Sequence, residues 1–514
     1  MALTRKDIED CIRALEALVL DRGQLAEVDL ETQNRLLTAA GRLSRPLRAE
    51  QRLLTRELEK KRRRESRARD EALLARAGIR KKRLEPVFVT PEPLSLQEPE
   101  RIEHVQQRIA EASAGSAPPL DTPRVCYVCK APSTRVHFFY DQMCGPCGDF
   151  NYAKRSQTAN LSGRVALISG ARVKIGYQAA ILLLRAGARV IVSTRFPRDA
   201  ALRYAREPDA ESFLGRLQIY GLDLRHTPSV EAFARRLTES EERLDFVLHN
   251  ACQTVRRPTG FYRHLVEREL SPPDALPEAA RAFLADYEDM RAHTARRLGA
   301  GASDAGSALL PIGLSAAPAL SQLALAEEDL DTTPRFFPRD QLDQDLQQVD
   351  LREVNSWRLA LDQVGTVELL EVQLVNAIAP FVLNARLKAL MLRQRTFDKH
   401  IVNVSAMEGQ FYRRYKTDKH PHTNMAKAAL NMMTRTSAAD YAKDGIYMNS
   451  VDTGWVTDED PAHIAERKTL ENGFHPPLDI VDGAARIVDP IFDGINTGRH
   501  VWGQFLKDYR PTAW

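Results

Sequence analysis

The chain has 514 residues, 43% hydrophobic and 28% charged, with a formal net charge of +4. Such a length exceeds one small core, so two or three domains are expected, and the composition excludes disordered and fibrous classes. No apolar run approaches a membrane span, Met1-Ala-Leu-Thr-Arg-Lys-Asp7 lacks a signal-peptide core, and six cysteines do not make a secreted disulfide scaffold, so a cytoplasmic protein is expected, with no membrane partner.

In chain order, Thr4 and Asp7 form an N-cap pair ahead of Ile8, Cys11, Ile12, Leu15, Leu18 and Val19, which follow the helical period. Cys11 falls on that apolar face and reads as a small core residue. A second helical tract from Arg48 to Ala77 carries Lys60-Lys-Arg-Arg-Arg64, with Arg80-Lys-Lys-Arg83 just beyond. A nucleic-acid surface is one reading of this charge. Interleaved Glu57, Glu59, Glu65, Asp70 and Glu71, without aromatics to stack on bases, favour a solvated helix or an arm for an acidic protein partner. Pro86 to Pro93 and Ala114 to Pro123 read as linkers.

Cys126-Tyr-Val-Cys129 and Cys144-Gly-Pro-Cys147 are two C-x-x-C pairs around a short loop. Each pair makes a knuckle whose thiolates converge, and two knuckles complete a tetrahedral sulfur shell for a structural Zn2+ with no open coordination position. Redox chemistry needs only one such pair. His137 is expected to pack or lie at the surface rather than ligate, Val136 to Tyr140 to form a strand, and Asp149 to Lys154 a helix.

From Val165 the pattern changes to buried apolar runs alternating with helical stretches: Val165-Ala-Leu-Ile-Ser169, Ala188 to Ser193, Leu217 to Leu224 and Leu244 to Asn250. This predicts an α/β fold, a doubly wound Rossmann-type parallel sheet preceded by the zinc module and the helical region. The divisions expected are 1–113, helical and basic; 121–155, the four-cysteine module; and 160–514, the Rossmann domain. Between Cys252 and Trp357 lie about a hundred residues where a few to a couple of dozen would serve. This insertion, about 253–355, includes a helix from Ala279 to Arg297 and a Gly-rich span from Gly299 to Gly306. It leaves the carboxyl end of a strand beside the ligand crevice, so a lid, a partner-binding surface and a tolerated excursion all remain open. Arg256 and Arg257 would suit an anionic substrate.

Taken in order from Leu161 onward, these residues resemble the short-chain dehydrogenase/reductase superfamily. Ser169-Gly-Ala-Arg-Val-Lys-Ile-Gly176 is similar to its T-G-x-x-x-G-x-G cofactor turn, Leu222-Asp223-Leu224 to the strand end that meets adenine, and His249-Asn250-Ala251-Cys252 to N-N-A-G. Asn376, Ser405 and Lys427 fall at or beside the family's catalytic Asn, Ser and Lys. Asn449 to Val456 and Gly498 to Asp508 are similar to segments around its last strands, and Ala428 to Tyr441 to its dimerisation helix, implying a homodimer or tetramer.

The resemblance implies cofactor contacts from Ser169, Gly170, Arg172, Lys174, Ile175, Gly176, Thr194, Arg195, Asp223, Leu224, Asn250, Ala251 and Lys427. A dinucleotide lacking the 2′-phosphate needs a carboxylate after the second strand. Thr194-Arg195 stands there, with Arg172 and Lys174 in the turn, so NADP(H) is expected over NAD(H).

Four positions depart from the family. Lys174 replaces the middle glycine of the turn, and Cys252 the glycine of N-N-A-G. Thr423 occupies the place of the tyrosine four before Lys427, and Ala406 that of the serine three before Gly409, leaving Ser405 one place early. An aliphatic hydroxyl is a far poorer acid than the family's tyrosine. Either a displaced group, Tyr412, Tyr415 or His422, supplies the proton, or the chain is an adaptor that binds nucleotide without hydride chemistry.

Overall fold

The computed structural model describes residues 3–93, 100–114, 118–299, 311–330, 333–412 and 416–514. The chain divides into two compact units, Met1–Asp70 and Glu71–Trp514. In the first, α1 (Arg5–Leu20) opens on a capping box, Asp7 N donating to Thr4 Oγ1 while Thr4 N donates to Asp7 Oδ2 at 2.8 Å. Asp29 caps α2 (Leu30–Ser44), and α3 (Arg48–Leu74) carries the basic run. Ile8, Ile12, Val19, Leu37 and Leu53 are exposed. Cys11 is exposed too, contrary to the core reading of its periodicity. A 3.6-residue period says which side chains share a face, not whether another element covers it.

The second unit starts with α4 (Gly78–Arg83) and α5 (Glu100–Ala114). The cysteine module follows: a minimal antiparallel pair β1 (Arg124–Val125) and β2 (Pro132–Ser133), then α6 (Gly145–Arg155). Val136 to Tyr140 forms no strand. Its backbone wraps the buried His137 ring instead, whose Nδ1 accepts from Phe139 N and Tyr140 N at 3.1 Å each.

The doubly wound part runs β3 (Val165–Ser169), α7 (Lys174–Arg185), β4 (Arg189–Thr194), α8 (Pro197–Tyr204), β5 (Leu217–Gly221), α9 (Thr227–Ser240) and β6 (Phe246–His249). The insertion contributes α10 (Arg263–Glu269), α11 (Glu278–Gly299) and the short α12 (Ile312–Ser315) and α13 (Ala317–Leu320). Then come α14 (Thr366–Gln373), a π-helical turn (Leu374–Ile378), α15 (Ala379–Met391), β7 (Lys399–Ser405), α16 (Pro421–Lys443), β8 (Ile446–Asp452), α17 (Ala462–Asn472), α18 (Ile480–Thr497), β9 (Phe505–Lys507) and β10 (Arg510–Thr512).

The strand order is β10-β9-β8-β7-β6-β3-β4-β5, parallel throughout except for β10 against β9. Every residue of β3 and β7 is buried; β3 accordingly reads as an apolar run, whereas β7 buries Lys399, His400, Asn403 and Ser405 among its apolar residues. The order reverses between β3 and β6, and a ligand crevice is expected outside their carboxyl ends.

Three segments behave differently from their sequence reading. Phe283, Leu284, Tyr287 and Met290 of α11 join the main core, so the insertion is part of the domain's packing. At Gly221 a Cβ would lie 2.2 Å from the Tyr287 hydroxyl, which only a glycine permits. The proline-rich stretch before residue 94 is laid against the sheet domain, Phe88 N donating to Gln344 O at 2.9 Å and Arg185 to Pro91 O at 2.7 Å. The continuous helix Thr366–Met391 is long and apolar enough to cross a membrane by length and composition, contrary to the sequence expectation. It packs in the core through Val372, Leu383, Leu387 and Leu390, with Glu368, Glu371, Asn376 and Asn384 buried along it. The Gly-rich span beyond Gly299, through residue 306, lies outside the described residues.

His249 is fully buried at the end of β6, and burial pushes its pKa down from 6.5 to about 4, only partly offset by its 2.7 Å bond to Asn384 Oδ1. A group protonated more readily unfolded than folded leaves stability intact above its unfolded value and removes it as pH falls toward the folded one. Stability is therefore expected to decline between pH 6.5 and about 4, with His249 contributing up to about 3 kcal/mol. Chemical denaturation across that range should show a shallower decline for His249→Asn, which keeps a polar partner for Asn384 without the titration.

Candidate functional site

A cleft of about 380 Å³ opens at the switch point, and Gly170, Arg172, Lys174, Ile175, Gly176, Thr194, Arg195, Asp223, Leu224, Asn250 and Ala251 all line it. Ser169, behind the turn, accepts from Ala251 N through its Oγ at 3.2 Å. The turn is built by close approach. Gly170 sits at φ +71° with Ala251 against it, and a Cβ at Gly176 would lie 2.2 Å from Asn250 Nδ2 and 2.5 Å from Gly170 O. Asn250 Nδ2 donates to Gly170 O at 2.9 Å, stapling the turn to the end of β6. Lys174, in place of a glycine, takes φ +56°, a left-handed conformation that costs a side-chain-bearing residue about 1 kcal/mol.

The cations of the cleft are not equivalent. Arg172 donates to Asp199 Oδ2 at 2.7 Å and to Gln347 Oε1 at 3.0 Å. Burial would raise Asp199, but Arg172 and Arg203 outweigh it and hold that carboxyl below its usual range. Lys174 Nζ stands 4.0 Å from Asp345. Arg225 bridges Asp223 at 2.7 Å and Glu371 at 2.8 Å. Arg195 differs: among the described residues its guanidinium bonds no carboxylate, donates to the Tyr262 hydroxyl at 2.7 Å and lies over the Tyr262 ring. Burial would raise Asp223, but Arg225 and, after it, Arg195 hold that carboxyl below its usual range.

The insertion supplies part of the wall, through Val255, Arg257, Phe261, Tyr262, Asp343, Gln347 and Gln348. Its segment 341–349, closed by a bridge between Leu342 and Gln348, is held near the glycine turn by Arg203, which donates to Asp345 O and Leu346 O. Arg256 is not available to an anionic substrate: it is buried and paired with Asp329 and Glu371. Arg257 pairs with Asp350. No motif marks these lining residues. Arg257 was legible by its charge and Val456 by its place in a segment named by resemblance, whereas Phe196, Thr457 and Ile480 reach the cleft only through the fold.

Of the catalytic positions named by resemblance, none of Asn376, Ser405, Thr423 and Lys427 lines that cleft. Asn376, in the π-helical turn, accepts from Gln253 N at 2.8 Å and donates to Gln253 O at 3.0 Å, clamping the first insertion residue. Lys427 Nζ donates to Val404 O at 2.9 Å. The Ser405 and Thr423 hydroxyls are buried and orphaned among the described residues, a state that costs about 1–3 kcal/mol each unless a ligand or solvent meets them. His422 Nε2 faces Glu368 Oε1 at 3.5 Å, both groups buried. Beside them the Trp357 ring stacks on His420 at 3.8 Å, and His420 N donates to Leu359 O, so the end of the insertion closes over this corner. Tyr412 is 98% exposed, and Tyr415 lies outside the described residues.

In the cysteine module the Sγ atoms of Cys126, Cys129, Cys144 and Cys147 all lie within 4.8 Å of one another. Zinc–sulfur bonds of about 2.3 Å place tetrahedral sulfurs about 3.8 Å apart, so the cluster fits such an ion. His137 is no fifth candidate: its Nε2 meets Asp149 Oδ1 at 3.1 Å.

Comparison with known proteins agrees with this architecture. The sequence model of the family described as Enoyl-(Acyl carrier protein) reductase matches residues 361–477. An uncharacterized protein of Acanthamoeba polyphaga mimivirus, R665, is 30% identical over 72% of this chain and 71% of its own length. Dehydrogenase/reductase SDR family member 13 of Bos taurus is 38% identical over 20% of this chain, which spans only 27% of that protein. Among solved structures, a Pseudomonas aeruginosa RhlG/NADP complex is 18% identical, with 68% of this chain and 95% of that one covered at a TM-score of 0.41. A short-chain dehydrogenase/reductase from Serratia marcescens is 13% identical, with 68% and 96% covered at 0.40. Over residues 361–477 and over about a fifth of its length, respectively, the chain is thus similar to the enoyl reductase family model and to a short-chain dehydrogenase/reductase.

Two substitutions probe the turn. Gly176→Ala should drive Asn250 off Gly170 and cost about 1–3 kcal/mol in urea denaturation. Lys174→Gly should instead gain up to about 1 kcal/mol, because it removes the left-handed strain and loses only a long, half-exposed contact to Asp345.

Proposed function

We propose that this protein is an NADP(H)-binding oxidoreductase of the superfamily, with a structural Zn2+ held by Cys126, Cys129, Cys144 and Cys147. The observation that carries the nucleotide reading is Arg195. It lies just past β4, where a 2′-phosphate would arrive, lines the cleft, and alone among the described cations compared above lacks a carboxylate partner. A guanidinium held over an aromatic ring and one phenol keeps N–H groups free for a phosphate. The backbone of 170–176 at the start of α7 would receive the pyrophosphate, and Asp223 with Leu224 would border the adenine.

The bound nicotinamide would supply the hydride chemistry. The chain would supply orientation, exclusion of water and a proton source. Thr423 cannot be that source at neutral pH, since an alcohol is too weak an acid. His422 beside Glu368 is the titratable pair that the fold brings to this corner. A second reading, in which the chain is an adaptor binding nucleotide without turnover, draws on Lys427 being turned to Val404 O and on the closed corner under Trp357. In either case we expect a cytoplasmic protein. The exposed apolar residues Phe381 of α15, and Met425 and Met432 of α16, would serve a homodimer or tetramer, and the basic α3 an acidic protein partner.

Titration with NADPH and NADH tests the nucleotide reading, with NADPH expected to bind at least about tenfold tighter. Arg195→Ala should erase that preference by weakening NADPH alone, and equal binding of the two by the unaltered chain would defeat the NADP(H) assignment. If NADPH is oxidised across a carbonyl panel, His422→Gln should slow kcat by about a hundredfold with Kd for NADPH unchanged. Unaltered kcat would return the proton to another group.

A further inference from the structure

The cysteine module does not hang beside the cleft; it holds up one of its walls. Val456, Thr457, Ile480 and Ile175 line the cleft. Val456 and Ile480 are buried in one apolar cluster with Cys126, Met143 and Leu478, and Ile175, Tyr127 and Cys147 pack against it. The polar ties are as direct. Tyr127, between the two cysteines of the first pair, accepts through its hydroxyl from Trp455 N at 3.0 Å. Leu478 N donates to Trp455 O at 3.3 Å, joining the two wall segments. Gly454 turns at φ +77°, where a Cβ would meet Leu478 at 2.4 Å and the Tyr127 hydroxyl at 3.2 Å. Gln142 Nε2 donates to His475 O at 2.6 Å, and Tyr140 to Asp482 Oδ1 at 2.5 Å.

Tyr127 N donates to Gln142 O at 2.8 Å, Lys130 Nζ donates to Tyr127 O and lies 5.1 Å from its ring, Lys507 Nζ lies 5.8 Å from that ring, and the side chain packs against the apolar cluster. Between Cys126 and Cys129, its backbone is also part of the knuckle those two cysteines form. A knuckle without its ion is a short loop with nothing to fix its thiols, and structural zinc commonly supplies the ordering energy of such loops. If that loop relaxes, Trp455 N loses its acceptor and the 454–457 wall must be reordered whenever a ligand enters.

We propose that the ion in the four-cysteine cluster and the dinucleotide in the cleft are thermodynamically coupled through Tyr127 and Trp455, each raising the affinity for the other. Tyr127 is a positioning residue in this scheme, acting on the cleft through the Trp455 amide. The inference rests on the zinc and nucleotide assignments proposed above and adds that the two sites are linked. Linkage is reciprocal for binding free energies, so the factor by which zinc tightens nucleotide binding equals that by which nucleotide tightens zinc binding.

The test uses the full chain with its zinc. NADPH affinity is measured before and after zinc removal by a chelator, and zinc affinity by chelator competition with and without saturating NADPH. Zinc removal should weaken NADPH binding by about fivefold or more, and NADPH should shift the chelator competition by the same factor. Tyr127→Phe, which keeps the ring and the zinc stoichiometry, should weaken NADPH binding severalfold and shrink both shifts. A merely structural tyrosine would lower Tm without altering the reciprocal shift. Equal NADPH affinity with and without zinc in a chain that stays folded by circular dichroism overturns the coupling. If the zinc-free chain unfolds, Tyr127→Phe decides, and unchanged NADPH affinity with an unchanged chelator shift overturns it. A zinc-replete chain that binds no NADPH overturns the nucleotide assignment and the coupling with it, and a purified chain with no zinc overturns the metal half in the same way.

Discussion

A buried arginine joins the parts of this molecule that sequence would keep separate. Arg155, the last residue of α6, forks onto Asp479 with bonds of 2.6 and 2.8 Å and reaches Asp482 at 2.9 Å. Asp479 is also the N-cap of α18, accepting from Val481 N and Asp482 N. The same two carboxylates thus close a helix terminus and receive the cysteine module. An isolated buried charge is costly, and removing one member of such a set costs about 3–5 kcal/mol. The arrangement therefore specifies one docking geometry. Burial opposes ionisation of Asp479, but Arg155 outweighs it and holds the carboxyl below its usual range. Lys154 with Asp489, and Arg486 with Asn151 and Asp508, extend the seam along α18.

Because that seam fixes the start of α18, it also fixes Ile480 in the wall of the cleft. The site is thus assembled from stretches distant in the chain: the glycine turn, the ends of β4, β5 and β6, the insertion, the segment after β8 and the start of α18. The turn itself is tolerant of chemistry and intolerant of volume. Lys174 enters a left-handed conformation, yet no side chain could enter at Gly176 without dislodging Asn250.

The corner between the π-helical turn, β7 and α16 is held by its own polar contacts. Asn376 bonds the Gln253 backbone, and Lys427 on α16 donates to Val404 O. The insertion's end brings Trp357 onto His420, and the Glu368–His422 pair occupies the neighbouring interior.

Half of the sheet was legible from sequence because strands buried on both faces read as apolar runs, as β3 to β6 do. Strands β7 and β8, which bury Lys399, His400, Asn403, Asn449 and Ser450, were reached only by resemblance. The cysteine spacing was legible for a similar reason: knuckle geometry is local, and the four sulfurs do converge. Cys11 misled because a period does not reveal whether a covering partner exists. Val136 to Tyr140 misled because a buried histidine offered its backbone better partners than a strand would. Charge was the hardest property to read. Arg172, Arg195, Arg225 and Arg256 are indistinguishable as letters, and only the placement of Asp199, Tyr262, Glu371 and Asp329 around them decides which are neutralised. Local pattern thus determined the superfamily frame, the glycine turn and the sulfur cluster. Tertiary structure alone decided which cations are paired, what packs onto His420, and that the cysteine module packs behind the cleft's wall, because each depends on side chains brought together from distant parts of the chain.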